Sequence, residues 1–169
     1  MGLSQAIMPL VAVLLAAVGI CLLLVASSHW HGHLTHDEPG AVQKFHLDPT
    51  PRIGGLAIYL ALPLARWGHG FDEANVLLMV VLLAGLPALL LGLLEDVTKR
   101  VSVLVRLLGT MFSGALACLM SGLALTRLDL GPVDSWLAIG PVALAFTSFA
   151  VGGIANSINI VDGFHGLAS

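Results

Sequence analysis

Asn156, Asn159 and Asp162 recur every three residues near the end of a 169-residue chain, and His165 continues the spacing beside Gly163 and Gly166. Amide side chains orient polar ligands, and a carboxylate binds a metal or a proton. Glycine lets a backbone approach a ligand closely. On a helix such a set forms a slowly drifting polar stripe. The stripe can recognise a sugar or a base, or merely cap the helix end.

A second group lies sixty residues earlier. Glu95 and Asp96 are adjacent, follow a long apolar run and precede Lys99 and Arg100. Neighbours on a helix point about 100° apart, so the two carboxylates cannot duplicate one role. The C-terminal end of a helix is the negative end of its dipole, which makes two anions there unfavourable without a cation. One account is a pair of surface ion pairs at i, i+4 spacing, worth about 0.3–0.5 kcal/mol each. The other is a Mg2+ or proton-transfer site beside cations that hold phosphate, because Mg2+ takes one or two carboxylates together with substrate phosphate oxygens. Asp162 would join that site. A third group, Lys44 and Arg52 beside Gly54 and Gly55, suits an anionic head group. Loop charge on the cytoplasmic side is the simpler account of that pair taken alone.

These residues need elements to carry them, and the composition says which. Hydrophobic residues make up 57% of the chain and charged residues 10%, against about 25% charged in a soluble domain. Mean hydropathy is +0.97. The expected fold is all-α, a polytopic helical membrane protein in a single domain over residues 1–169. About five spans are read at 6–26, 53–66, 74–94, 101–125 and 135–154. A span needs about 20 apolar residues, and 53–66 is short for one. The first run lacks a basic leader and exceeds a signal-peptide core, so it reads as a retained helix. Pro87 is an expected kink in the third.

Five spans alternate sides. The loops at 27–52 and 95–102 and the C-terminal tail then share one face, with Lys44, Arg52, Lys99 and Arg100. The positive-inside bias makes that face cytoplasmic and the N-terminus periplasmic. Three polar groups far apart in sequence thereby meet at one membrane surface, which is expected to be the inner membrane of a cell.

Other classes fare less well. Seven Lys and Arg with no basic stripe exclude a nucleic-acid partner. Cys21 and Cys118 fall within apolar runs and read as buried thiols. The competing reading is a small membrane transporter or metal-handling protein, using the 27–52 loop, in or beside which His29, His31, His33, His36 and His46 lie, together with the Glu95 and Asp96 pair. The histidine spacing fits no standard metal site. A transporter should also carry polar groups at mid-bilayer depth, where these spans have almost none.

Three blocks in order carry a resemblance. They are Lys44-Phe45-His46 with Pro49-Thr50-Pro51-Arg52-Ile53-Gly54-Gly55, then Gly92-Leu93-Leu94-Glu95-Asp96, then Asn156 through Ala168. The chain resembles the polyprenyl-phosphate N-acetylhexosamine-1-phosphate transferases, bacterial glycosyltransferase family 4. This superfamily includes phospho-N-acetylmuramoyl-pentapeptide transferase and undecaprenyl-phosphate N-acetylglucosamine-1-phosphate transferase. The resemblance implies a Mg2+-dependent enzyme in the lipid bilayer. Undecaprenyl phosphate attacks the sugar-side phosphate of a UDP-sugar, giving a lipid-linked sugar diphosphate and UMP and initiating a cell-surface polysaccharide such as O-antigen. It implies Asp96, Glu95 and Asp162 as catalytic, with Asp96 and Glu95 as metal ligands. Lys44, Arg52, Asn156, Asn159, Gly163 and His165 would bind substrate. A homo-oligomer, the amino sugar and the pathway stay open.

The chain departs from the family pattern in three places. Glu95 stands where Asp is usual, a change tolerable for flexible chelation. His165 stands where Asp or Asn is common, which removes an anion. The family has roughly ten spans, so five would leave an apolar flank without its packing partner. The expectation is an N-terminal half, inactive alone.

Overall fold

The computed structural model describes residues 3–27, 54–66, 73–98 and 100–161, with the side chains of 3–6 and 159–161 excepted. All the regular structure among them is helical. The elements are α1 (Leu3–Ala26), α2 (Gly54–Ala61, continued by a 3-10 turn Leu62–Arg66), α3 (Glu73–Thr98), α4 (Val103–Ser121), α5 (Pro132–Leu137) and α6 (Gly140–Val161). Among the described residues four stretches are long and apolar enough to cross a membrane: Ile7–Ala26, Glu73–Thr98, Val103–Ser121 and Gly140–Ile158. The all-α, multi-pass expectation holds.

The second apolar stretch is a shorter helix, Gly54–Arg66. Pro63 lies just past the end of α2. It has no N–H to return to the preceding turn, so the α-helix gives way to 3-10 geometry. The whole piece is about 22 Å long at 1.5 Å per α residue and 2.0 Å per 3-10 residue, short of the ~30 Å hydrocarbon core.

The chain divides into two compact units, Met1–Leu78 with Leu93–Lys99, and Met79–Gly92 with Arg100–Ser169. In the first, α1 packs on α2 and on its 3-10 extension. Ala57 and Ala61, one helical turn apart, are fully buried there, since small side chains let helices approach without a large apolar driving force. Arg66 Nε donates to Asn75 Oδ1 at 2.7 Å, tying the end of the 3-10 turn to the first turn of α3.

In the second unit α4 and α6 form an antiparallel pair. Met111 lies against Gly152, and Gly114 against Ser148 and Val151. The buried residues are small or weakly polar: Gly109, Ser113, Gly114 and Cys118 on α4, and Ala143, Thr147 and Ser148 on α6. This is the small-residue packing by which membrane helices associate. The polar members are satisfied locally. Thr147 and Ser148 hydroxyls each donate to a carbonyl one turn back, at 2.7 Å. Ser113 Oγ accepts from the Ala88 amide at 3.1 Å. Ala88 follows the mid-helix Pro87, where a neighbouring hydroxyl commonly rescues disturbed backbone.

Helix ends differ from the sequence reading in specific ways. The acidic pair does not follow α3 but lies inside its last turn, because the helix continues to Thr98. The fourth span is shorter at both ends. Ser102 caps its start by accepting from the Val105 amide at 3.3 Å. Gly122, at φ 71°, ends it by donating to Cys118 O at 2.9 Å, a left-handed cap that glycine adopts without penalty. The fifth span begins at Gly140 rather than 135 and runs to Val161. Pro141 suits a first turn because its missing N–H has no helical partner there.

Candidate functional site

Two sets of charged groups sit at helix ends where the helix dipole disfavours them. Glu95 and Asp96 occupy the last turn of α3 and are half-buried. No basic residue shares that turn. Arg106 is the fourth residue of α4, in a first turn without acidic residues. A cation at a helix start and anions at a helix end each cost about 0.3–1 kcal/mol relative to the reverse arrangement. Helix stability therefore does not explain their presence.

Arg106 is held by a specific partner. Its Nε donates to Asn156 Oδ1 on α6 at 3.2 Å. Asn156 Nδ2 donates to Thr110 Oγ1 at 2.9 Å and to the Gly152 carbonyl at 2.8 Å. The Thr110 hydroxyl in turn reaches Leu107 O at 2.9 Å and Arg106 O at 3.2 Å. The amide of Asn156 is thus committed on its oxygen and on its nitrogen. It locks α4 to α6 and fixes the guanidinium of Arg106. All three side chains are half-buried. The register makes the pairing possible: α4 starts beside the end of α6 because the two run antiparallel.

The sequence-derived residues fall into two groups. Glu95, Asp96 and Asn156 are described. Asn159 lies on α6, but its side chain is outside the described residues, as are Lys44, Arg52, Asp162, Gly163, His165 and the histidine loop. Among the described residues no three His, Cys, Asp or Glu side chains gather as a metal cluster. Arg106 and Thr110 are additions that motif reading passed over. The available signal was a lone arginine inside an apolar run, since ionisable groups within membrane spans are costly and are usually retained for function.

The donor chemistry at the end of α3 fits a hard divalent cation. Two half-buried carboxylates would match the number of protein oxygen ligands that Mg2+ takes when phosphate oxygens and water complete its shell.

Over 137 residues, 79% of its length, the chain is 27% identical to the probable undecaprenyl-phosphate N-acetylglucosaminyl 1-phosphate transferase of Bacillus subtilis (strain 168). Over 133 residues, 73% of this chain, it is 29% identical to the decaprenyl-phosphate N-acetylglucosaminephosphotransferase of Mycobacterium leprae (strain TN). The matched regions cover 36% and 33% of those relatives, so the chain spans about a third of their length. No solved structure matches the chain significantly. The profile of glycosyl transferase family 4 matches residues 78–169, a stretch that contains the acidic turn of α3, the Arg106–Asn156 pair and the terminal polar motif. With more than half of the chain matched, and the matched half carrying these groups, the protein belongs to glycosyl transferase family 4.

Proposed function

We propose that this protein takes part in transferring an N-acetylhexosamine-1-phosphate from a UDP-sugar to undecaprenyl phosphate, at the cytoplasmic face of the inner membrane. A lipid phosphate oxygen forms a bond to the sugar-side phosphorus. The bond from that phosphorus to the bridging oxygen breaks, and UMP leaves with the electron pair. The product is a lipid-linked sugar diphosphate, the starting unit of a surface polysaccharide such as O-antigen. The observation that carries this reading is Arg106, a cation placed against the helix dipole and fixed by Asn156 and Thr110.

The chemistry asks for two anionic phosphates in line, with their charge neutralised. Lys44 and Arg52 bind lipid or nucleotide phosphate by charge. Arg106, held rigidly, offers a planar donor to a phosphate oxygen. Asn156 acts through Arg106 as a positioning residue. Asn159 and His165 contact the nucleotide or sugar, and Gly163 admits close backbone approach. Asp162 orients or deprotonates the attacking group. Asp96 and Glu95 would hold Mg2+, which neutralises phosphate charge when bound.

The α4–α6 pair supports the part of this reading that concerns Arg106 and Asn156. Residues 99–102 join α3 to α4, and the antiparallel α4–α6 pair brings the end of α6 to the start of α4. Within that pair Arg106 and Asn156 lie together at one end.

The transporter reading gains no support from the spans. Among the described residues the buried hydroxyls Ser113, Thr147 and Ser148 are engaged with backbone. The test is UMP release from UDP-N-acetylhexosamines by the full-length protein in vesicles containing undecaprenyl phosphate. Asp96→Asn and Asp162→Asn should abolish it while leaving membrane insertion intact. Unchanged turnover in both variants would remove the assignment.

A further inference from the structure

The connector between α4 and α6, residues 122–139, does not behave as an aqueous loop. It carries large exposed apolar side chains, among them Leu123, Leu130, Trp136 and Ile139. Its one short helix, α5, buries Leu137 at 2% exposure and leaves the adjacent Trp136 at 69%. A water-facing connector of this length would be dominated by polar residues and glycine.

Its backbone also sits at depth. Extending the register of Met111 with Gly152 and Gly114 with Ser148 puts Ser121 level with the first turn of α6. Gly122 then reverses the chain at φ 71°. Leu125 N donates to Thr147 Oγ1 at 2.9 Å, and Thr147 lies seven residues beyond Gly140, about 10 Å along α6. The chain folds back alongside the span instead of leaving it. Two of its amides are satisfied without water, Leu125 by Thr147 and Leu128 by Asp134 Oδ1 at 2.8 Å. That is the requirement that non-helical backbone meets at membrane depth. The charges cluster at one point, where Arg127 and Asp129 pair at 2.6 Å and are largely exposed.

We propose that residues 122–139 form an interfacial element that docks into the boundary between lipid head groups and acyl chains, at the end of the α4–α6 pair opposite Arg106 and Asn156. Trp136 is its anchor, in the position where amphipathic rings gather in membrane proteins. The apolar surface is continuous with the lipid-facing sides of α4 and α6, which begin and end at the connector itself. The ligand is the bilayer, and the Arg127–Asp129 pair marks the water side. This inference rests on the membrane topology of α4 and α6 and not on the transferase reading.

The test uses full-length protein carrying Trp30→Phe and Trp67→Phe, reconstituted in phosphatidylethanolamine–phosphatidylglycerol vesicles. Any further tryptophans in the protein are also replaced, leaving Trp136. Blue-shifted emission, strong quenching by lipids brominated near the head group and several-fold weaker quenching by acrylamide than for free tryptophan are expected. Red-shifted emission with full acrylamide quenching would overturn the proposal in favour of an aqueous loop. Protection from both quenchers would overturn it in favour of cover by another protein segment. If the multiple variant does not fold, Trp136→Phe in the native background gives the same answer. The bromolipid-quenchable signal should fall, and an unchanged signal contradicts the proposal.

Discussion

Arg106 and Asn156, fifty residues apart, meet across the α4–α6 interface with Nε donating to Oδ1 at 3.2 Å. The amide is held in turn by Thr110 and by the Gly152 carbonyl, so the orientation of one cation depends on two helices being in register. This turns an asparagine of the terminal polar motif into a positioning group.

Asn156→Ala should leave the fold intact and loosen Arg106. Loss of a hydrogen bond to a charged group is worth about 1.5–3 kcal/mol, which predicts a fall in kcat/KM on the order of 10- to 100-fold. Steady-state kinetics on reconstituted protein checks this. Thr110→Val, which removes the acceptor for Asn156 Nδ2 and the hydroxyl's own bonds to the helix backbone, should show a smaller loss in the same direction.

Arg106→Lys keeps the charge and loses the planar fork, so KM for the UDP-sugar should rise more than kcat falls. Arg106→Met should lose both. Equal kinetics for Arg106→Met and the native protein would show that the cation does not meet substrate.

Two neighbouring glycines should respond oppositely to alanine. A Cβ at Gly152 would lie 2.5 Å from Met111 Cγ and 3.2 Å from Met111 N, an overpacking expected to cost about 1–3 kcal/mol. Gly153 has nothing within 4 Å of the same atom, so Gly153→Ala should be neutral or stabilising by up to about 1 kcal/mol. Unfolding of the purified protein in mild detergent with increasing SDS measures both.

Ser113→Ala removes the acceptor for the Ala88 amide. The expected loss is about 0.6–2 kcal/mol, the range for hydrogen bonds between membrane helices. The same SDS titration reads it.

The two carboxylates of α3 should not be equivalent. Asp96→Asn should lower turnover on the order of 100-fold or more, as expected when a group that manages transition-state charge is removed. Glu95→Asp should be tolerated, with a changed Mg2+ requirement, because the shorter side chain moves the oxygen by one carbon–carbon bond. Turnover against Mg2+ concentration separates the two.

Much of this architecture can be read along the chain, and the reasons are physical. Runs such as 74–94 and 101–125 announce spans because hydrocarbon thickness sets their length. Their ends are harder to read. Apolar composition continues through Leu123 and Leu125, but Gly122 has already reversed the backbone. The 53–66 stretch looks like a weak span and forms a short helix whose geometry changes beside Pro63. Glu95 and Asp96 are visible as a pair, but polar residues do not end α3 there, and the helix continues for two more residues. Asn156 is visible as a member of a repeating polar set. Its partner is not, because only the antiparallel register of α4 and α6 brings Arg106 to it. The sequence hint was the arginine itself, an unfavourable charge inside an apolar helix.

The most direct test of the central claim is UMP release by the full-length protein in vesicles, with UDP-N-acetylhexosamines offered with and without undecaprenyl phosphate. The account predicts UMP and lipid-linked sugar diphosphate formed one for one, strictly dependent on the lipid phosphate, and lost in Asp96→Asn and Asp162→Asn. UMP formation that ignores the lipid phosphate, or persists in both variants, would contradict it.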